Sequence, residues 1–498
     1  MSIPSKQLDS TKASELSDIS SEDFRRHARD FIDWIINYLD HPERYKVLAG
    51  VKPGEIKQKL PQTPPEQPEP LTAILQDLDE ILTPGLTHWN HPGFMAYFST
   101  TASRPGILGE LLSAALNTNA MLWRTGPAAV ELEDVVLDWL RQLLRLPKQF
   151  SGLIHDTASA SSLVALAAAR EALELNIREG GMCGRPDLPK IRVYTSEHAH
   201  SSIEKAAIVL GIGQTGVAKI PVDNDFRMRA DLLRATVETD LKAGVKPCAI
   251  VATVGTTSTT SVDPVADIAE ICRRYGIWLH VDAAYAGSAA IVPEMRWLLD
   301  GCEHADSIVF NPHKWLFVPI DCSVLYCSKP EILRRAFSLV PEYLRTGEET
   351  AINPMDYGIA LGRRFRALKL WMVLRAFGAE GIRERLRHHI RMAQNFKQWV
   401  EKSADFELMA PARLSVVCFR FHPQNAGLSE ADLERINEEL LERINKTGEI
   451  FLSHTKLNNR FTLRLAIGNL RTAEQHVQRA WELLRDHANL IDPRGGRQ

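Results

Sequence analysis

Residues Ile308–Pro319 read IVFNPHKWLFVP, and Lys314 carries the one formal charge in the stretch. The apolar run Ile308–Phe310 has the pattern of a buried strand, and Asn311-Pro312 ends it. Lysine is ordinarily a surface residue, because taking an unpaired ammonium out of water is strongly unfavourable. A lysine at the exit of such a strand needs a partner or a chemical task.

Outward from this stretch the same alternation repeats. IRVYT (191–195), PCAIVAT (247–253) and IWLHVD (277–282) are further short apolar runs. Helical patterns separate them, among them ASSLVALAAAREALEL (160–175) and DPVADIAEICRRYG (263–276). Strands alternating with helices predict an α/β fold whose mostly parallel sheet is covered by helices. Residues 1–20 are polar and are expected to lack order. Residues 21–103 form a helical segment, interrupted by the proline-rich link LPQTPPEQPEP. The large domain is expected over 104–371. Long helices and alternating strands (RLSVVCFRFHP, RFTLRLAIGN) predict a small α+β domain over 372–498.

Bulk properties exclude some classes. A net charge of −3 gives no basic surface for nucleic acid or an anionic membrane. No apolar run is long enough to span a bilayer, and the N-terminus has no apolar signal core, so a cytoplasmic protein is expected. The seven cysteines are odd in number and form no C-x-x-C, which fits free thiols in a reducing compartment. The histidine pair 388–389 and the segment HPERYKVLAG lack metal-ligand partners, so no metal is expected.

In open α/β sheets ligands bind beyond the carboxyl ends of the strands. Asp282 stands at one such end, in HVDAAYAG, and Asn311, His313 and Lys314 stand at another. VGTTSTTS and SEHAHSS follow two more strands, and DTASASS opens a helix with small hydroxyl residues. A lysine in an apolar site has a depressed pKa and becomes an amine nucleophile, whose usual partner is a carbonyl. Pyridoxal 5'-phosphate (PLP) carries such an aldehyde and also wants an acid at its pyridine nitrogen, which Asp282 supplies. Its phosphate wants donors, which the helix start at Thr157, Ala158 and Ser159 supplies. His198 and His200 are both candidates to lie against the ring, and the residues alone do not separate them.

HVDAAYAG, NPHKW and EHAHSS together resemble the group II PLP-dependent decarboxylases, nearest the aromatic-L-amino-acid decarboxylase branch. THWNHPGFMAYFSTTAS, GTTS, PEYLR, LGRRFRALKLW and HVQRAWE extend the resemblance over nearly the whole chain from about residue 22. It implies PLP-dependent transferase fold type I and an obligate homodimer with the active site at the interface. The N-terminal helices would wrap the partner subunit. Lys314 would carry the Schiff base, Asp282 would pair the pyridine nitrogen, and His200 would stack on the ring. Ala158, Ser159 and Asn311 would hold the phosphate with Thr157 nearby. Thr256 and Thr257 would lie at the cofactor and Ala284 against its ring. Tyr343 matches a loop tyrosine that helps protonate the substrate carbon. Trp89, Tyr97, Phe98, Thr100 and His313 fall on the substrate side. Asn119, Met121 and Gly362 fall in the pocket that selects the side chain, where Asn119 would read an indole N–H or a phenol hydroxyl.

The expected reaction is decarboxylation of an aromatic L-amino acid to its arylalkylamine. An aldehyde synthase on the same scaffold is the alternative; in the family that change accompanies loss of the loop tyrosine or the stacking histidine, and both are present here. A glutamate-type decarboxylase fits poorly with the aromatic HWNHPGFMAYF. One decoy is set aside. GIGQTG (211–216) matches a dinucleotide fingerprint, but it follows a helix and leads into a strand, the reverse of that motif.

Overall fold

The computed structural model describes residues 18–339, 351–424 and 427–492. Two compact units divide between His88 and Trp89. The first holds helices α1 (Ser21–Asp40) and α2 (Leu71–Asp77). Ser20 caps α1 by accepting from the Asp23 amide, as a serine before an acidic first turn should.

The second unit contains a seven-stranded sheet. In chain order it is built from α3 (Arg104–Leu116), α4 (Pro127–Leu143), β1 (Ser151–His155), α5 (Ala158–Glu171), β2 (Ile191–Ser196), α6 (Ser202–Val209), β3 (Val217–Ile220), α7 (Ala230–Lys242), β4 (Lys246–Thr253), α8 (Val265–Tyr275), β5 (Trp278–Asp282), β6 (Ser307–Phe310), α9 (Pro312–Trp315) and β7 (Ser323–Cys327). The strand order is β1-β7-β6-β5-β4-β2-β3, with β7 antiparallel to both neighbours and the run from β3 to β6 parallel. The expected mostly parallel sheet is therefore present. Its reversed strand β7 had no signal, because a strand buried on both faces reads the same in either direction. Helix α5 explains its own composition: Ser161 to Ala169 are almost all buried, and only small side chains let a helix lie that close on a sheet.

α10 (Arg366–Lys402) leads out of the large sheet and breaks at Gly378, whose φ of 63° takes it out of the helix. Its second half, with α11 (Glu430–Thr447) and α12 (Glu474–Ala488), covers a four-stranded antiparallel sheet. That sheet has the order β10 (Ser453–Leu457), β11 (Arg460–Ala466), β9 (Val416–Phe421) and β8 (Phe406–Leu408). Met95, Phe396, Phe419, Leu440 and Trp481 share its core. The segment after Trp89 joins this sheet through a bridge from Phe94 to Phe451 and a bond from the Ala466 amide to the Met95 carbonyl, 2.9 Å. GIGQTG is the turn after α6, with Gly211 and Gly213 at φ of 76° and 78°. That is the helix end and turn the sequence indicated. No helix among the described residues is long and apolar enough to cross a membrane. All seven cysteines are free.

One buried ion pair ties the sheet to the entry of α10. Arg363 donates to Glu133 at 2.7 Å and to the Ile154 carbonyl at 2.9 Å, and Glu133 also accepts the Ile154 amide. Both side chains are over nine-tenths buried. Removing one partner leaves the other charge uncompensated, so Glu133→Leu is expected to lower the unfolding free energy by about 3–5 kcal/mol in a denaturant titration. Arg479→Leu, at the exposed Arg479–Glu449 pair, is expected to change it by less than about 1 kcal/mol.

Candidate active site

The sheet brings its carboxyl ends to one rim, and the side chains there are unusually polar for their burial. Asp282 ends β5, paired in register with Thr253 of β4 and Val309 of β6. Its Oδ1 accepts the Ala284 amide at 3.1 Å. Chain reversal after β4 needs Gly255, at φ 89°, where a Cβ would lie 2.5 Å from that of Ala286.

Lys314 follows β6 on the short helix α9 and is half-buried. Burial lowers its pKa; Asp282 pulls it back up and Arg464 pushes it further down. Its ammonium lies 5.2 Å from the centre of the Phe98 ring, and the Arg464 guanidinium lies 4.8 Å from the same ring. Phe98 is the first plate of a buried column. It stacks on Tyr285 at 3.7 Å and Tyr285 on Trp315 at 4.7 Å, with interplanar angles of 13° and 2°; at the end of the column Trp315 and His389 lie edge to edge, nearly coplanar at 5°, with ring centres 6.4 Å apart. Phe98 is thus core and site wall together. Trp89 and Tyr97 are exposed, and Tyr97 holds a left-handed φ of 49°, a strained conformation of the kind that gathers at functional sites.

His200 begins the turn into α6. Its Nδ1 accepts the Ser202 amide at 3.2 Å and sits 2.8 Å from the Ser202 hydroxyl. An Nδ1 that accepts leaves the proton on Nε2, which points away from this turn. His200 is solvent-exposed in the single chain, yet the protein around its ring lowers its pKa through desolvation, opposed by Asp282. His198 stands two residues earlier with its ring edge-on to Phe226.

The start of α5 is open to a ligand. Thr157 caps it, its hydroxyl accepting the Ala160 amide at 3.4 Å and donating to Asp156. The amides of Ala158 and Ser159 and the Ser159 hydroxyl have no bond of this kind. Asn311 and His313 settle each other's roles. His313 Nδ1 accepts the Cys322 amide at 3.0 Å, so Nε2 carries the proton. The Asn311 amide group lies 3.5 Å from that Nε2. Its oxygen belongs opposite the N–H, which turns the NH2 to the side where no protein group meets it. Thr256 is buried, with its hydroxyl bonded to Thr259 at 2.9 Å; Thr257 next to it is exposed. Ala284 is buried and Thr100 half-buried.

Four buried polar groups therefore lack a partner at or beside this rim: the outer amide atom of Asn311, the hydroxyls of Ser196 and Thr253, and Nη2 of Arg464. Buried polar groups are normally satisfied, so an unfilled set of this size marks room for a polar ligand. A pyridoxal phosphate fits it chemically, with an amine for its aldehyde, a carboxylate for its ring nitrogen, and amide and hydroxyl donors for its phosphate. Ser196, Thr253, Tyr285 and Arg464 were not anticipated from the sequence. Arg464 had a signal: RFTLRLA alternates, and an arginine on the inward side of such a strand is as anomalous as the lysine in IVFNPHKW.

Asn119, Met121 and Gly362 gather elsewhere, where the Ala120 amide meets the Arg363 carbonyl at 2.9 Å. Asn119 Oδ1 accepts the Arg363 amide at 2.9 Å, and its Nδ2 faces Met121 Sδ at 3.5 Å. What Asn119 has left is a donor, which suits a phenol oxygen and not an indole N–H. Tyr343 lies outside the described residues.

Three buried histidines stay neutral at pH 7. Burial holds His280 and His313 down to about 4 and His389 down to about 3. Each takes up a proton more readily when unfolded, near pH 6.5, so its contribution to stability is complete above that pH and lost as pH falls toward 4. Denaturant titrations should show stability declining over this window by about 1.4 kcal/mol per pH unit for each such histidine. His280→Gln should make that decline shallower.

Comparisons with known proteins point to one family. The pyridoxal-dependent decarboxylase conserved domain matches residues 53–422. An aromatic-L-amino-acid decarboxylase of Catharanthus roseus is 40% identical over 96% of both chains. A phenylacetaldehyde synthase of a Rosa hybrid cultivar is 39% identical over 98% of this chain and 97% of its own. The crystal structure of Oryza sativa TDC with PLP and tryptamine superposes with a TM-score of 0.92 at 37% identity, covering 95% of this chain and 99% of that one.

Proposed function

The chain belongs to the pyridoxal-dependent decarboxylases, and from that premise we infer that it converts an aromatic L-amino acid to its arylalkylamine and carbon dioxide. The observation that carries this reading is the meeting of Lys314 and Arg464 at the Phe98 ring, with Asp282 acting on the lysine charge and buried polar groups beside them without partners. PLP, when bound, supplies an aldehyde for the Lys314 amine and a ring that takes up the electron pair left as carbon dioxide departs.

The side chains divide the remaining work. Desolvation favours the neutral amine of Lys314, the form that attacks a carbonyl carbon. Asp282 keeps a proton on the ring nitrogen, while the open amides at Ala158 and Ser159 and the NH2 of Asn311 hold the phosphate. Thr257, exposed beside the rim, and Ala284 line the cofactor. His200 presents its Nε2 proton to the ring side. Arg464 has one free donor, buried beside Lys314, and takes the substrate carboxylate. Phe98 and Tyr285 keep water from that carboxylate, and the exposed rings of Trp89 and Tyr97 receive the aromatic side chain. Thr100 and His313 complete the substrate side. Tyr343 is assigned to protonation of the substrate carbon on the resemblance alone. Gly362, with no side chain, leaves room for an indole.

The active form is a homodimer in this reading. Helix α3 exposes Leu108, Leu111, Leu112 and Leu116 along one face, at helical spacing. A second copy covers that face, and the Asn119–Met121–Gly362 cluster of one subunit completes the pocket of the other.

Product analysis tests the reaction. PLP-loaded protein is incubated in air with tryptophan, tyrosine, DOPA, phenylalanine or glutamate, and products are identified by mass spectrometry. Arylalkylamines without oxygen uptake are expected. Aromatic aldehyde with ammonia and hydrogen peroxide, at one oxygen consumed per turnover, would establish the synthase reaction instead. Arg464→Met is expected to raise KM for the amino acid by roughly tenfold or more, as loss of a charge-assisted bond should. Inhibition by the product amine, which has no carboxylate, should not change.

A further inference from the structure

His389, one of the two adjacent histidines that suggested no ligand site, lies at the far end of the column that begins under Lys314. It is 2% exposed, inside the second half of α10. Trp315, the residue after Lys314, donates its indole N–H to His389 Nδ1 at 2.9 Å. His389 also hydrogen-bonds the backbone of Asn469. With Nδ1 accepting, the Asn469 carbonyl receives the Nε2 proton, and both ring nitrogens are satisfied by a neutral imidazole. Phe317 packs edge-on against the ring at 5.8 Å. Asn469 in turn sends its side-chain NH2 to the carbonyls of Trp89 and His91, both at 2.9 Å. One imidazole thus joins the turn that carries Lys314 to the wall that carries Trp89.

The joint has mechanical consequences. Trp315 is fully buried, and its indole fixes the plane of the stacked rings below it. Those rings end at Phe98, against which the Lys314 ammonium rests. Helix α9 has a single turn and little rigidity of its own, so the direction of the Lys314 side chain depends on what anchors Trp315.

We propose that His389 is a positioning residue for Lys314: by accepting the Trp315 indole proton and donating to Asn469, it fixes the aromatic column on which the lysine amine rests and registers it against the Trp89 wall. The proposal rests on the assignment of Lys314 as the cofactor lysine.

The test uses PLP-loaded variants and reads two quantities. The first is the pH midpoint of the visible absorption band of bound PLP without substrate, which reports the environment of the lysine nitrogen. The second is the split between kcat and KM with L-tryptophan and L-tyrosine. His389→Leu is expected to shift the midpoint and lower kcat by about tenfold or more, with KM within about threefold, as for a displaced reacting group. His389→Asn places an acceptor where Nδ1 was and is expected to bring the midpoint most of the way back to wild type, short of the Asn469 bond; His389→Gln, whose polar group falls at Nε2, is not. Trp315→Phe keeps the stack, loses the N–H, and should reproduce His389→Leu, with no further loss in the double variant. It carries the test if His389→Leu does not fold. A wild-type midpoint and kcat in His389→Leu or in Trp315→Phe, or no rescue by His389→Asn, would overturn the proposal. Lys314→Ala separates the two levels. If it loses the band while His389→Leu behaves as wild type, only the positioning role fails. If it keeps the wild-type band, the Lys314 assignment fails and the proposal with it.

Discussion

An ammonium withdrawn from water must be offset by charge, by hydrogen bonds or by loss of its proton, and most of this site can be understood as the offset arranged around Lys314. The lysine faces a carboxylate at Asp282 and a second cation at Arg464, both held by strands. Desolvation and Arg464 favour the neutral amine, whereas Asp282 favours the ammonium. The balance leaves an amine whose pKa lies below that of an ordinary lysine, and the fold supplies the balance by bringing the end of β5, the turn after β6 and the middle of β11 to one spot.

That placement follows from two layers of construction. The parallel sheet fixes Asp282, Thr253, Ser196 and Asn311, since adjacent strands in register cannot shift singly without breaking their ladders. The four-stranded sheet then contributes Arg464, and the Trp89–Phe98 segment runs alongside it. Polar groups left without partners along this seam are a local sacrifice of stability, tolerable because a bound polar cofactor would satisfy them. Binding and stability are thereby linked: whatever satisfies these groups also stabilises the folded chain.

Much of this was legible in the sequence. IVFNPHKW and IWLHVD gave strands whose ends carried Lys314 and Asp282, because charges ending apolar runs are rare without a task. GIGQTG could be rejected as a cofactor loop from its neighbours alone. What was not legible depended on long-range pairing. The reversal of β7 leaves no trace in CSVLYC, and Arg464 meets Lys314 only because a strand some 150 residues later packs against the same ring. The partner of Asn119 was hidden for the same reason: Arg363 is remote in sequence, and only its amide shows that the Asn119 oxygen is occupied. His389 was read only as one of two histidines lacking metal-ligand partners, a reading silent about Trp315.

The most direct measurement of the central claim is the site of covalent attachment. Protein loaded with PLP is reduced with borohydride, which converts a lysine–PLP linkage to a stable secondary amine, and the digest is read by mass spectrometry. The account predicts a single phosphopyridoxyl group on the peptide containing Lys314, and none at that site in Lys314→Ala. Labelling of a different lysine, or of several equally, would contradict it.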